Sequence, residues 1–152
     1  MKDLYTLEPL HAKDLALLHQ KCFDTAAWQQ TEFKKLLELS QILGFGVLAK
    51  DEFISFILYQ VVLNEAEILT ICTNPEFQQQ GAAKRLLNQS MEFLSTIAVN
   101  TIFLEVSETN LPALKLYSSL GFKKISIRKN YYKQADGKRL DAWVLKINIA
   151  SA

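Results

Sequence analysis

"PEFQQQGAAKRLL", Pro75 to Leu87, joins two segments of different periodicity. Before it, "AEILTICT" (66–73) is an apolar, β-prone run that reads as a strand ending at Asn74-Pro75. After it, a helix is expected from Gly81 to Ala98, with Ala83, Leu86, Leu87, Ser90, Phe93, Leu94 and Ile97 as its inner stripe. A glycine stands where that helix begins. The first turn of a helix carries free N–H groups and the positive end of the dipole, which together hold a phosphate without any lysine. Glycine lets such a ligand approach the backbone closely. It serves equally to relieve a tight strand-to-helix turn, and the window alone leaves both readings open. It is not a Walker loop, since the second glycine and the Lys-Ser/Thr pair are missing, and it lacks the G-x-G-x-x-G of dinucleotide sites.

Outward from this junction the pattern resolves into alternating elements. "DLYTLEPL" reads as a strand ending at Pro9, followed by a helix from Ala12 to Phe23 and the loop "FDTAAW". A second helix starts at a Thr31 cap, with Phe33, Leu36 and Leu37 on its apolar side. "GFGVLAK" and "FISFILYQVV" form an antiparallel hairpin through Lys50-Asp51-Glu52, and Asn64-Glu65 makes the next turn. Beyond the long helix, "TIFLEV" (101–106) is a strand, apolar on both faces except at Glu105. A short helix starts near Pro112 and ends at a left-handed Gly121, with Phe122 packing back. "KKISIRKNYY" and "RLDAWVLKINI" are strands joined by an Asp136-Gly137 hairpin turn. The order β-α-α-β-β-β-α-β-α-β-β predicts one mixed α/β domain over residues 1–152, antiparallel in front and closing through a β-α-β crossover with parallel strands.

Composition narrows the class. A chain of 152 residues with 49% hydrophobic and 22% charged residues supports a sizeable core. The net charge of +1 gives no whole-protein steering toward nucleic acid or membrane, although charges can still cluster locally. Cys22 and Cys72 are too few and too far apart for a disulfide framework, and with His11 and His19 they make no metal constellation. Cys72 reads either as a buried strand thiol or as a nucleophile beside Thr70 and Thr73. No basic-then-apolar leader opens the chain and no apolar run approaches about 18 residues, so the expected place is the cytosol, with no membrane partner.

Asn74 to Leu87 resembles, position type by position type, the Q/R-x-x-G-x-G/A acetyl-CoA signature of the GNAT N-acetyltransferase superfamily. The resemblance extends over most of the chain. "LEVSETNLPALKLYSSLGF" (104–122) is similar to the family's N-x-x-A-x-x-L-Y-x-x-x-G-F segment. "IRKNYY", the Asp-Gly turn and "DAWVLKI" resemble the RimI type, which acetylates ribosomal-protein amino termini. The implied fold is α/β (α+β), a single mixed, mostly antiparallel sheet of about seven strands with about four helices and a splayed central parallel pair.

The resemblance also implies residue roles. Main-chain groups of Ile71, Cys72 and Thr73 would meet the acetyl-CoA arm, and main-chain N–H groups of Gln79, Gln80, Gly81, Ala82, Ala83 and Lys84 the pyrophosphate. Asn110 would touch the cosubstrate through its side chain, where otherwise it reads as an ordinary helix-capping asparagine. Glu105 would be the general base and Tyr117 the general acid. Tyr131, Tyr132 and Trp28 would wall the acceptor, or else pack as lids over the core. Gln78 and Ala83 depart from the arginine and glycine common in the family, leaving Lys84 and Arg85 to supply charge. The implied partners are acetyl-CoA and the N-terminal segment of small-subunit ribosomal protein number eighteen, acetylated on its first alanine, with no metal and no direct nucleic-acid contact.

The chemistry is consistent with that reading. Glu105 shares a strand face with Phe103 and Ser107, and a lone carboxylate there is costly unless paired or wet. A Tyr117 phenol, near pKa 10, suits protonation of a thiolate leaving group of about 8.5. An N-terminal amine with pKa about 8 is roughly a tenth neutral at pH 7, a lysine only ~0.04%. A glutamate base therefore has less to do for an α-amine. An internal lysine, a small amine or an antibiotic stay open as acceptors, as does a CoA-binding module without turnover.

Overall fold

A computed structural model describes residues 4–134 and 136–150. Seven strands form one sheet: β1 (Tyr5–Thr6), β2 (Ile42–Ala49), β3 (Glu52–Val62), β4 (Glu65–Thr73), β5 (Thr101–Ser107), β6 (Lys123–Lys133) and β7 (Arg139–Asn148). The helices are α1 (Ala12–Phe23), α2 (Gln30–Leu37), α3 (Ala82–Thr96) and α4 (Leu111–Ser119). The sheet order is β1-β2-β3-β4-β5-β7-β6, antiparallel throughout except for β4 and β5. This is the α/β architecture expected from the sequence, with the same succession of elements.

Three local expectations change. The first strand shrinks to two residues, because Leu7 N–H still bonds Gly44 C=O but Pro9 then opens a 3₁₀ turn; Asp3 lies outside the described residues. Helix α2 is capped by Gln29 rather than Thr31. The Gln29 N–H donates to Glu32 Oε1 at 3.0 Å and completes a capping box, which Thr31, three residues before Lys34, cannot do. On α3, Phe93 and Ile97 are exposed while Met91 and Ser95 are buried. The Tyr59 hydroxyl bonds Ser90 Oγ at 2.6 Å and sets the rotation of the helix, the helix stops at Thr96, and Phe93 caps the edge against Phe45.

Two apolar clusters sit on opposite faces of the sheet. Leu86, Leu87, Met91 and Leu94 of α3 pack with Ile57, Tyr59, Ile102 and Leu104; Leu15 and Leu18 of α1 and Phe33 of α2 pack with Phe56, Leu58 and Cys72. From Phe56 to Tyr59, strand β3 supplies the two clusters in alternation, as a central strand covered on both faces does. In β4 the alternation breaks. Tyr59 stands opposite Ile68 and Leu58 opposite Thr70, so Leu69 is an extra residue. This bulge reverses which face every later side chain takes. Ala66 and Ile68 join the α3 cluster, whereas Cys72 joins the α1 cluster.

The bulge lies where β4 leaves its neighbour. The parallel pairing covers only Glu65↔Thr101, Ala66↔Ile102 and Glu67↔Phe103. Beyond it the two strands diverge and leave an opening between them.

Candidate active site

The divergence forms a cleft of about 560 Å³. Its walls include Glu105, Tyr117 and Asn110, with Ile71 from β4, Trp28 from the α1–α2 connection, and Tyr131 and Tyr132 from β6. Seven residues singled out in five separate stretches of sequence therefore converge on one cavity.

The β4 wall is made of main chain. Asn74 N–H bonds Ile54 C=O, and Cys72 stands opposite Phe56. The two-residue alternation of an antiparallel ladder thus turns the Cys72 main chain toward β3 and the Ile71 and Thr73 main chains toward the opening. Cys72 C=O also accepts a hydrogen bond from Ser55 Oγ, and Thr73 C=O accepts one from Gln78 Nε2. The Cys72 thiol is buried on the α1 side, and burial pushes it far above the ordinary thiol range. That removes it as a nucleophile.

The segment before α3 adopts left-handed backbone at Gln79 (φ 62°) and Gly81 (φ 80°). The first helical bond is Arg85 N–H to Gly81 C=O, so the N–H groups of Ala82, Ala83 and Lys84 have no partner within the helix. No acidic residue occupies this first turn. A Cβ at Gly81 would meet nothing within 4 Å, so glycine is required there by its φ and not by crowding. Three N–H donors, the helix dipole and an open approach fit a pyrophosphate.

On β5, Glu105 extends from the face opposite the α3 cluster. Arg128 Nη1 donates to its Oε1 at 2.7 Å. The Tyr132 hydroxyl lies 3.4 Å from Glu105 C=O. Tyr117 is buried by Phe122 and the α3-side core, and burial, with Tyr132 adding to it, raises its phenol well above the usual range. Tyr117 lines the cleft, and its hydroxyl has no hydrogen bond to the described residues. Asn110 does cap α4, accepting from Ala113 N–H at 3.3 Å through Oδ1. Asn110 also lines the cleft, and its Nδ2 amide has no hydrogen bond among the described residues.

A bulge between Arg128 and Tyr132, with Asn130 at φ 57°, brings consecutive Tyr131 and Tyr132 to one side of β6 as a stacked pair with centroids 5.1 Å apart. Arg128 lies over the Tyr131 ring at 4.0 Å. On the opposite wall, Trp28 N–H donates to His19 Nδ1 at 3.0 Å, so the proton is on Nε2, which donates to Thr70 Oγ1 at 2.9 Å. Burial lowers the His19 pKa to about 4, with Glu32 opposing the shift. This neutral imidazole ties Trp28 to the bulged strand.

Sequence reasoning missed Glu67, His19 and Thr70 as cleft residues. Glu67 carried a signal, an acidic residue two positions after Glu65 in an otherwise apolar strand. The bulge, which has no marker in "AEILTICT", is what turns Thr70 toward His19.

A family model described as acetyltransferase (GNAT) family matches residues 12–122. The chain is 41% identical to the ribosomal protein bS18-alanine N-acetyltransferase of Haemophilus ducreyi, over 71% of this chain and 74% of that one. It is 36% identical to the corresponding enzyme of Salmonella typhimurium, over 82% and 90% of the two chains. The crystal structure of the ribosomal-protein-S18-alanine N-acetyltransferase from Escherichia coli superposes with a TM-score of 0.91 at 32% identity, covering 100% of this chain and 96% of that one.

Proposed function

The chain belongs to the GNAT acetyltransferase family and is an acetyl-CoA-dependent N-acetyltransferase, and we propose that its acceptor is the N-terminal alanine of ribosomal protein bS18. The observation that carries this is the meeting of Glu105 and Tyr117 in a cleft walled by the Tyr131–Tyr132 pair, in a chain 36–41% identical to enzymes of that specificity.

Acetyl-CoA supplies the acetyl thioester. The N–H groups from Gln79 to Lys84 hold its pyrophosphate, the outward main chain of Ile71 and Thr73 receives its arm, and the Asn110 amide meets it from α4. Cys72 contributes by position only, since its main chain belongs to the β3 ladder. Glu105 accepts the proton that the α-ammonium must lose, through one water, after which the free amine attacks the thioester carbonyl. An N–H of the splayed strand, that of Ile71, stabilises the oxyanion. As the C–S bond breaks, the Tyr117 phenol protonates the CoA sulfur, its raised pKa keeping it protonated until then, and the second proton of the acylated nitrogen passes through water to restore the phenol. Tyr131, Tyr132 and Trp28 exclude water and align the first acceptor residues.

The test is release of CoA thiol from acetyl-CoA across a panel of peptides differing in their first residue. Alanine-starting peptides with the bS18 sequence should turn over fastest by at least tenfold. Equal rates across the panel, or transfer only to a small amine or a lysine, would reassign the acceptor.

A further inference from the structure

Within this acceptor reading of the cleft, we propose that Glu67 is a specificity-determining residue that holds the acceptor's ammonium group, leaving Glu105 free to act as the base. The ionisable side chains lining the cleft are His19, Glu67, Glu105 and the three tyrosines Tyr117, Tyr131 and Tyr132. His19 is neutral near pH 7 because its pKa is about 4, and phenols are neutral there. Among the described residues, Arg128 is the one cation within ion-pair distance of either carboxylate, and it bonds Glu105. Two carboxylates thus share one guanidinium, and the cleft carries one uncompensated negative charge, on Glu67. An α-amine arrives about nine-tenths protonated at pH 7. The charge of the cleft and that of the acceptor therefore cancel one for one.

The position of Glu67 suits this task. It stands opposite Phe103 in the last paired step of β4 and β5, at the vertex where the strands part, two residues before Glu105 along the facing strand. It lines both the cleft and an adjoining open groove of about 250 Å³, which Glu105 also lines, so an acceptor arriving from outside reaches Glu67 without crossing the acetyl-CoA side. Partial burial and the neighbouring Glu105 raise its pKa while Arg128 opposes the shift, which is the state of a carboxylate that gains from a cation beside it.

The experiment uses an alanine-starting peptide with an amidated C-terminus and no other amine. With Glu67→Gln, the peptide KM should rise about tenfold, kcat should stay within twofold, and the acetyl-CoA KM should not move. Glu67→Asp should recover part of the loss. Calorimetric binding to the CoA-loaded protein gives a readout independent of turnover. Wild type should prefer the free-amine peptide over its N-acetylated form by about tenfold, and Glu67→Gln should lose that preference. An unchanged peptide KM and an unchanged binding preference would overturn the proposal. So would a fall in kcat matching that of Glu105→Gln at constant KM, since Glu67 would then be a base. Failure of the wild type to acetylate any alanine-starting peptide would instead count against the acceptor reading, and the binding arm would still decide the role of Glu67.

Discussion

The two halves of the proposed site are built from different material. The half proposed for acetyl-CoA, from Ile71 to Lys84, presents backbone: outward-facing main chain on β4 and three helix-start N–H groups before Arg85. The half proposed for the acceptor and the chemistry presents side chains drawn from α1, the Trp28 connection, β4, β5, α4 and β6. A backbone site tolerates Gln78 and Ala83 in place of residues common elsewhere in the family, because the donors are the same whatever the side chain. A side-chain site has no such tolerance, since each group has one role and one position. Variants in the first half should therefore alter acetyl-CoA affinity and stability, and variants in the second should alter turnover or the acceptor KM at constant acetyl-CoA affinity.

The strongest separation is expected at Glu105. Glu105→Gln should lower kcat at pH 7 by about 10²–10³-fold, the range for loss of a general base, with the acetyl-CoA KM within twofold. A comparable rise in acetyl-CoA KM would erase the division between the halves. Tyr117→Phe should lower kcat by about 10–100-fold, and a CoA product analogue should bind as before, which titration would verify. If kcat were unchanged, the sulfur would be protonated by another group.

The His19 contact belongs to the acceptor half and is read through stability. Its folded pKa of about 4 lies below the unfolded value of about 6.5. The unfolded chain therefore takes up a proton first as pH falls. The stability contribution is whole above about pH 6.5 and declines down to about pH 4, by on the order of 2 kcal/mol once screening is allowed for. Denaturant titrations at pH 7 and 4.5 should register it, and His19→Gln should flatten that part of the difference. Smaller still is the effect at Gly81. Gly81→Ala forces a left-handed alanine, costing about 1 kcal/mol, a drop of a few degrees in Tm. It should weaken acetyl-CoA binding severalfold and leave kcat at saturation unaltered.

What the sequence disclosed follows the same division. Periodicity and turn residues were enough for the order of elements, because each helix and strand carries its own pattern. Gly81 and Asn110 were legible because caps and helix starts are local. The insertion of β7 between β5 and β6 was not legible, since strand order depends on pairing between distant segments. Nor was the Leu69 bulge, where a β-branched, apolar run offers no local reason to slip by one residue. The Glu105–Arg128 pair spans 23 residues and exists only because β7 bridges β5 and β6, so no spacing rule could have announced it. Glu67 was hidden for the same reason, as its place in the cleft comes from the pairing of β4 with β5.

The most direct measurement is the location of the acetyl group on intact ribosomal protein bS18. After incubation with acetyl-CoA, mass spectrometry should find a single acetyl on the α-amine of the first alanine, formed in step with CoA thiol, and almost none over the same period with Glu105→Gln. Acetyl groups on lysine side chains, or equal N-terminal acetylation by wild type and Glu105→Gln, would contradict the assignment of this cleft.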